Sequence, residues 1–94
     1  MITGVGSYLP IKKCSNENLS NYVDTSDEWI SKRSGIKNRH FVADDENTSD
    51  MAFSAANKAI KNAQLSKTDI DLIILATTTP DNTFPSTATL VQKN

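Results

Sequence analysis

Cysteine occurs once in this 94-residue chain, as Cys14, and histidine once, as His40. A single cysteine excludes an internal disulfide framework and fits a reducing compartment. One residue of each kind makes neither a zinc site nor a Cys–His nucleophile pair. Cys14 also falls outside any glycine-rich turn or strand-to-helix elbow, so it reads as a structural thiol; a nucleophile needs an activating environment. Glycine is scarce too, at three positions. Gly4-Val5-Gly6 lacks the third glycine of a dinucleotide-binding turn, because position 9 is leucine. Close approach of a neighbouring backbone is the remaining reading. Neither charge sign dominates: ten basic and eleven acidic residues are interspersed, for a net charge of −1. No basic block argues for nucleic acid and no acidic tail for disorder. The acidic run Asp44-Asp45-Glu46 lacks the alternate spacing of a calcium loop and precedes a helix whose start favours negative charge. Long apolar runs are missing as well. Ile70–Ala76 is far too short to span a bilayer, and the start M-I-T-G-V-G has neither the charge nor the apolar stretch of a signal peptide. These absences predict a soluble, cytoplasmic protein with no metal and no nucleic-acid or membrane partner.

What is present is ordinary globular composition, 37% hydrophobic and 22% charged, in at most one small domain over residues 1–94. Ile2–Tyr8 reads as a first strand. The polar connection Ile11–Asn21 holds one helical turn that Ser15 can cap. From Asp24 the sequence D-T-S-D-E-W-I-S-K-R-S-G predicts a short helix closed at both ends. Thr25 and Glu28 have capping-box spacing, Asp27 and Glu28 then Lys32 and Arg33 complement the helix dipole, and Gly35 supplies the left-handed stop. Ile36–Val42 reads as a short extended segment. Thr48–Ala63 is a helix with Met51, Ala55, Ala59 and Ala63 on one face; alanine there implies close approach to a flat partner. Ser66 opens a turn into a second strand, Leu72–Thr77, whose apolar run implies burial on both faces. Pro85 suits the first turn of a final helix. Strand, helices and strand make a β-α-β crossover in a parallel or mixed sheet. Two such strands leave edges and faces open, so the expectation is an incomplete domain of α/β class that does not melt cooperatively alone.

Trp29 and Arg33 stand four residues apart in the short helix and share a face, with Lys32 flanking. An indole beside a guanidinium offers a flat ring to stack on and a cation for a phosphate, which suits a nucleotide-bearing ligand. The competing reading is a tryptophan at a domain edge with Arg33 lying over it. Spacing leaves both open.

The run from Asp24 to His40, D-T-S-D-E-W-I-S-K-R-S-G-I-K-N-R-H, resembles the signature of the β-ketoacyl-[acyl-carrier-protein] synthase III family, the initiating condensing enzymes of type II fatty acid synthesis. G-V-G-S-Y-L-P at Gly4–Pro10, A-T-T-T-P-D at Ala76–Asp81 and F-P-S at Phe84–Ser86 are similar to that family in the same order. The resemblance implies the opening of a thiolase-like fold, covering well under half of a family member. It implies a homodimeric acyltransferase that joins acetyl-CoA to malonyl-acyl-carrier protein through a cysteine thiolate, a histidine and an asparagine, with acetyl-CoA as substrate and no cofactor. None of that triad matches Cys14 or His40, so no catalytic residue is expected here. By resemblance, Trp29 stacks on adenine, Thr25 lies near the adenine edge, and Arg33 lies by the nucleotide phosphates. Phe84 reaches the partner subunit's acyl pocket, and Lys37 stands where some members have arginine. Thr25 spent wholly as a helix cap, and Phe84 simply packing ahead of Pro85, are the structural alternatives. Other acyl-CoA condensing enzymes, such as hydroxymethylglutaryl-CoA or polyketide-type synthases, and a non-catalytic remnant or small CoA- or partner-binding module, are the rival readings.

Overall fold

In the computed structural model, which describes residues 1–94, the chain divides into two compact units: Pro10–Asp45, and Met1–Leu9 together with Glu46–Asn94. The first unit is built from strand β1 (Lys12–Ser15), the single-turn helix α1 (Asn16–Leu19), helix α2 (Asp27–Ser34) and strand β2 (Asn38–Phe41). The two strands pair antiparallel, Lys12 opposite Phe41 and Ser15 opposite Asn38. Each run is four residues long, the reach of a ribbon that relies on other elements to persist. Ser15 ends β1 and caps α1, accepting from the Asn18 N–H at 3.1 Å. The Ser15 cap and the extended segment after Gly35 agree with expectation. Cys14 is buried on β1 and donates to its neighbour's carbonyl, as a structural thiol would.

Helix α3 (Thr48–Asn62) dominates the second unit, joined by a 3-10 turn (Lys67–Asp69) and helix α4 (Thr87–Lys93). Asp50 accepts from the Asn47 N–H at 2.8 Å and Asp69 from the Ser66 N–H at 2.8 Å, so each start is closed by a carboxylate three residues on. The Asp69 carboxyl is held below its usual range by those Ser66 bonds. Glycines 4 and 6 lie against the alanine face of α3. A Cβ on Gly4 would come within 2.6 Å of the Ala59 carbonyl oxygen and 2.7 Å of the Ala63 Cβ; one on Gly6 would come within 2.4 Å of the Ala55 oxygen. The alanine stripe does mark a close approach, and its partner is the N-terminal segment. That segment is further tied by Val5 N–H to Asn62 Oδ1 at 3.1 Å and by Lys58 Nζ to the Ser7 carbonyl at 3.0 Å.

Three expectations are corrected. Ile2–Tyr8 and Leu72–Thr77 form no strand, and the only sheet is the antiparallel β1–β2 pair. A strand requires a hydrogen-bonded neighbour, and neither segment has one: Val5 turns its N–H to a side chain, while Leu72 and Ile74 remain 75% and 86% exposed. Pro85 lies outside α4, because Ser86 is the cap and accepts from the Thr89 N–H. The cap of α2 is Ser26 rather than Thr25, as described below.

Gly6→Ala and Gly35→Ala separate two uses of glycine, measured by thermal unfolding of the gene product that carries this chain. Gly35 has φ of 71° but open space around it, so alanine there costs about 1 kcal/mol of backbone strain. Gly6→Ala must move α3 and costs up to about 3 kcal/mol. An equal or smaller loss at Gly6 would contradict the close approach.

Candidate functional site

The site begins with Asn16, which is 1% exposed and has the most thoroughly buried side chain in the protein. Its amide nitrogen reaches Asp27 Oδ1 at 2.8 Å, the Ile36 carbonyl at 2.7 Å and Ser31 Oγ at 3.3 Å. Its side-chain oxygen accepts from the Arg39 guanidinium, and its backbone N–H donates to the Lys37 carbonyl at 3.0 Å. Arg39 also donates to the Cys14 carbonyl at 3.2 Å. One amide thus joins α1, both ends of α2 and β2. The sequence reading missed it, since Asn16 looked like one more polar residue of a connection; only its place directly after a capping serine set it apart.

Helix α2 carries no buried residue. Ser26, extended at φ −143° and ψ 158°, accepts from the Trp29 N–H at 3.2 Å. With Ser26 as cap, Glu28 falls one position short of closing the box, which corrects the Thr25–Glu28 expectation. Two adjacent hydroxyls compete for this role, and the backbone angles choose the second. The Thr25 hydroxyl oxygen is buried and has no hydrogen-bond partner. Gly35 stops the helix in the left-handed region and donates to the Ser31 carbonyl at 2.9 Å, as expected. Asp27 sits in the first turn, where Asn16 and then Ser31 hold its carboxyl below the ordinary range against a smaller opposing effect of burial.

The outward face of α2 brings Trp29 and Arg33 together. The guanidinium carbon lies 4.6 Å from the centre of the indole ring, a cation–π stack. Even so covered, Trp29 is 56% exposed. Trp29, Arg33, Lys32, Glu28 and Ser26 line an open cleft of about 510 Å³. Thr25 and Ser26 also border a second, polar cleft of about 410 Å³ with Asp27 and Lys37. Phe84 belongs to the other unit and is 88% exposed. His40 bonds through Nδ1 to the Pro10 carbonyl at 2.6 Å, a structural tie. No group of three or more His, Cys, Asp or Glu side chains is placed to hold a metal ion, and no helix is long and apolar enough to cross a membrane.

No family model matches the chain. A curated protein of Ehrlichia canis (strain Jake) named β-ketoacyl-[acyl-carrier-protein] synthase III is 61% identical over 92 residues, 98% of this chain and 29% of its own length. The crystal structure of 3-oxoacyl-[acyl-carrier-protein] synthase III from Aquifex aeolicus VF5 aligns over 98% of this chain and 30% of its own, at 51% identity and a TM-score of 0.89. The chain is homologous to the synthase III proteins. The priming β-ketosynthase of the R1128 polyketide pathway is structurally as close, with a TM-score of 0.88, but only 30% identical, over 98% of this chain and 28% of its own. The backbone is therefore a partial thiolase-like α/β fold, and the chain spans about 29% of the length of the curated synthase III relatives it matches.

Removing the Asn16 amide leaves Asp27, Arg39 and the Ile36 carbonyl without their shared partner. Asn16→Ala is expected to cost about 1–3 kcal/mol in urea unfolding at neutral pH. Because the folded Asp27 pKa is depressed, its contribution is complete above the ordinary carboxylate value and disappears as pH falls through the folded one. In Asn16→Ala the Asp27 pKa rises toward the ordinary value, so this acid-dependent loss shrinks and the stability difference between parent and variant narrows as pH falls. An Asp27 titration, followed by NMR, that does not move in the variant would contradict this wiring.

Proposed function

We propose that this chain forms the coenzyme A entrance of a homodimeric, cytoplasmic acyltransferase that initiates fatty acid synthesis. The reaction condenses acetyl-CoA with malonyl-acyl-carrier protein to give acetoacetyl-acyl-carrier protein, CO₂ and free CoA. The observation that carries this reading is the exposed indole of Trp29 with the Arg33 guanidinium stacked on it, at the mouth of an open cleft. Arg33 covers one face of the ring and leaves the other for the adenine. Its charge, with Lys32 beside it, favours the nucleotide phosphates. The Thr25 hydroxyl is spared from capping by Ser26 and is buried without a partner, so it supplies a polar contact at the adenine edge only once a bound ligand opens access to it.

The chain's own thiol and imidazole take no part in bond making. Cys14 is buried in β1 and His40 is tied to Pro10, so the nucleophile and its assisting histidine and asparagine are assigned outside these residues. Covalent capture of the acetyl group on a thiolate divides the condensation into two easier steps, and paired donors stabilise the enolate left by decarboxylation. The higher identity to synthase III, 51%, than to the polyketide priming enzyme, 30%, favours acetyl-CoA priming of fatty acid synthesis over the polyketide alternative. The exposed Leu72 and Ile74 side chains disfavour a free-standing binding module.

The intact mass of the gene product in its source cells tests the first part: a mass well above 10.3 kDa is expected, and a mass of 10.3 kDa excludes catalysis. In the purified enzyme, Trp29→Ala is expected to raise the KM for acetyl-CoA about tenfold, the worth of one aromatic–base stack. An unchanged KM in the folded variant would remove Trp29 from the nucleotide site.

A further inference from the structure

Phe84 stands at the exposed tip of a loop whose flanks are bonded to two helix starts. Thr48, the first residue of α3, donates its hydroxyl to the Thr79 carbonyl at 2.6 Å. Ser49, 6% exposed, places both of its donors on one carboxylate: its N–H lies 2.8 Å from Asp81 Oδ1, and its hydroxyl donates to Asp81 Oδ2. The Asp81 N–H in turn points at the hydroxyl of Thr87, 3.4 Å away and 4% exposed at the first residue of α4. Beyond Asp81, Asn82, Thr83 and Phe84 are all exposed, so the tip takes its position from the anchors on either side of it.

The Asp81 carboxylate suits this task physically. The first turn of α3 leaves backbone N–H groups without intrahelical partners, and Asp81 satisfies that of Ser49 from outside the helix. A negative charge there is favoured by the dipole of a fifteen-residue helix. Charge-assisted bonds to two donors of a single residue fix direction as well as distance.

We propose that Asp81 is a positioning residue: by latching the 77–87 loop to the start of α3 it fixes where Phe84 is presented, and so tunes the length of acyl primer the enzyme accepts. This rests on the reading of Phe84 as a contact of the partner subunit's acyl pocket. An aromatic wall set slightly wrong changes how well one methylene more or less is accommodated, and a single methylene in an apolar pocket is worth roughly tenfold or more in kcat/KM.

The test compares kcat/KM for acetyl-CoA with that for butyryl-CoA in the complete dimeric enzyme. Phe84→Ala is expected to move this ratio about tenfold, and Asp81→Ala to move it in the same direction by at least about threefold. Asp81→Asn, which keeps an acceptor for the Ser49 N–H and a partner for its hydroxyl, is expected to restore the parental ratio. A loss of folded enzyme alone would lower both rates together and leave the ratio where it was. Should Asp81→Ala fail to fold, Ser49→Ala, which deletes one bond of the latch, is expected to give a smaller shift in the same direction. A ratio that moves in Phe84→Ala but stays flat in Asp81→Ala, or in Ser49→Ala where that variant stands in, overturns the latch and leaves the Phe84 assignment standing. A ratio flat in Phe84→Ala overturns the pocket assignment and the latch together.

Discussion

A single buried amide holds the Pro10–Asp45 unit in shape. Asn16 is nearly inaccessible, and its nitrogen and oxygen meet groups from both ends of α2 and from β2. An amide suits this position because it donates and accepts at once; a carboxylate would leave Asp27 and the Ile36 carbonyl facing another acceptor. Burying an amide is favourable only when its capacity is filled, and filled networks of this kind select one arrangement of their parts. The apolar contribution here is small, with Cys14 among the few buried hydrophobic side chains. Direction-specific bonds therefore decide the geometry of α2.

The other unit is organised by contact distance. Glycines 4 and 6 allow the N-terminal segment to lie directly on the Ala55, Ala59 and Ala63 face, at separations no side chain would tolerate. Close approach of this kind adds dispersion contacts along the full length of the contact and fixes the segment's path without a backbone ladder. Side chains complete it at intervals: Tyr8 donates to Glu46, which with its charge pushes the phenol's pKa up, and Lys58 lies over the Tyr8 ring.

Local signals were legible in the sequence and pairwise ones were not. The extents of α2 and α3 follow from caps and periodicity that lie within each segment, and the stop at Gly35 follows from its left-handed φ. The Thr25–Ser26 difference has the same local origin, because either neighbouring hydroxyl can cap and only the folded chain shows Ser26 extended at the helix start. Strands are another matter. Ile2–Tyr8 and Leu72–Thr77 have strand composition and follow the course of a synthase III chain at a TM-score of 0.89, yet no strand pairs with them. Apolar composition reports what a segment is suited to bury; the ladder depends on residues elsewhere. Asn16 and Asp81 escaped notice for a related reason, since a polar side chain in a connection shows its importance only through partners distant in sequence. Trp29 and Arg33, one helical turn apart, were readable as a shared face, and the structure adds that the guanidinium lies on the ring.

That α2 has no buried residue explains how it can present such a face. An amphipathic helix ordinarily holds its place by burying an apolar stripe, and large side chains on it are drawn inward. Here the helix is fixed through Asp27 and Ser31 on one side, the Ile36 carbonyl just past its end, and caps at both termini. An indole is then free to stand outward without loosening the scaffold. The Arg33 stack limits its rotamers before any ligand arrives, so less ordering remains to be done on binding. A short helix tied down by polar bonds is thus a reasonable platform for a flat ligand with a charged tail: rigid where the ring must stack, and basic where the phosphates would lie.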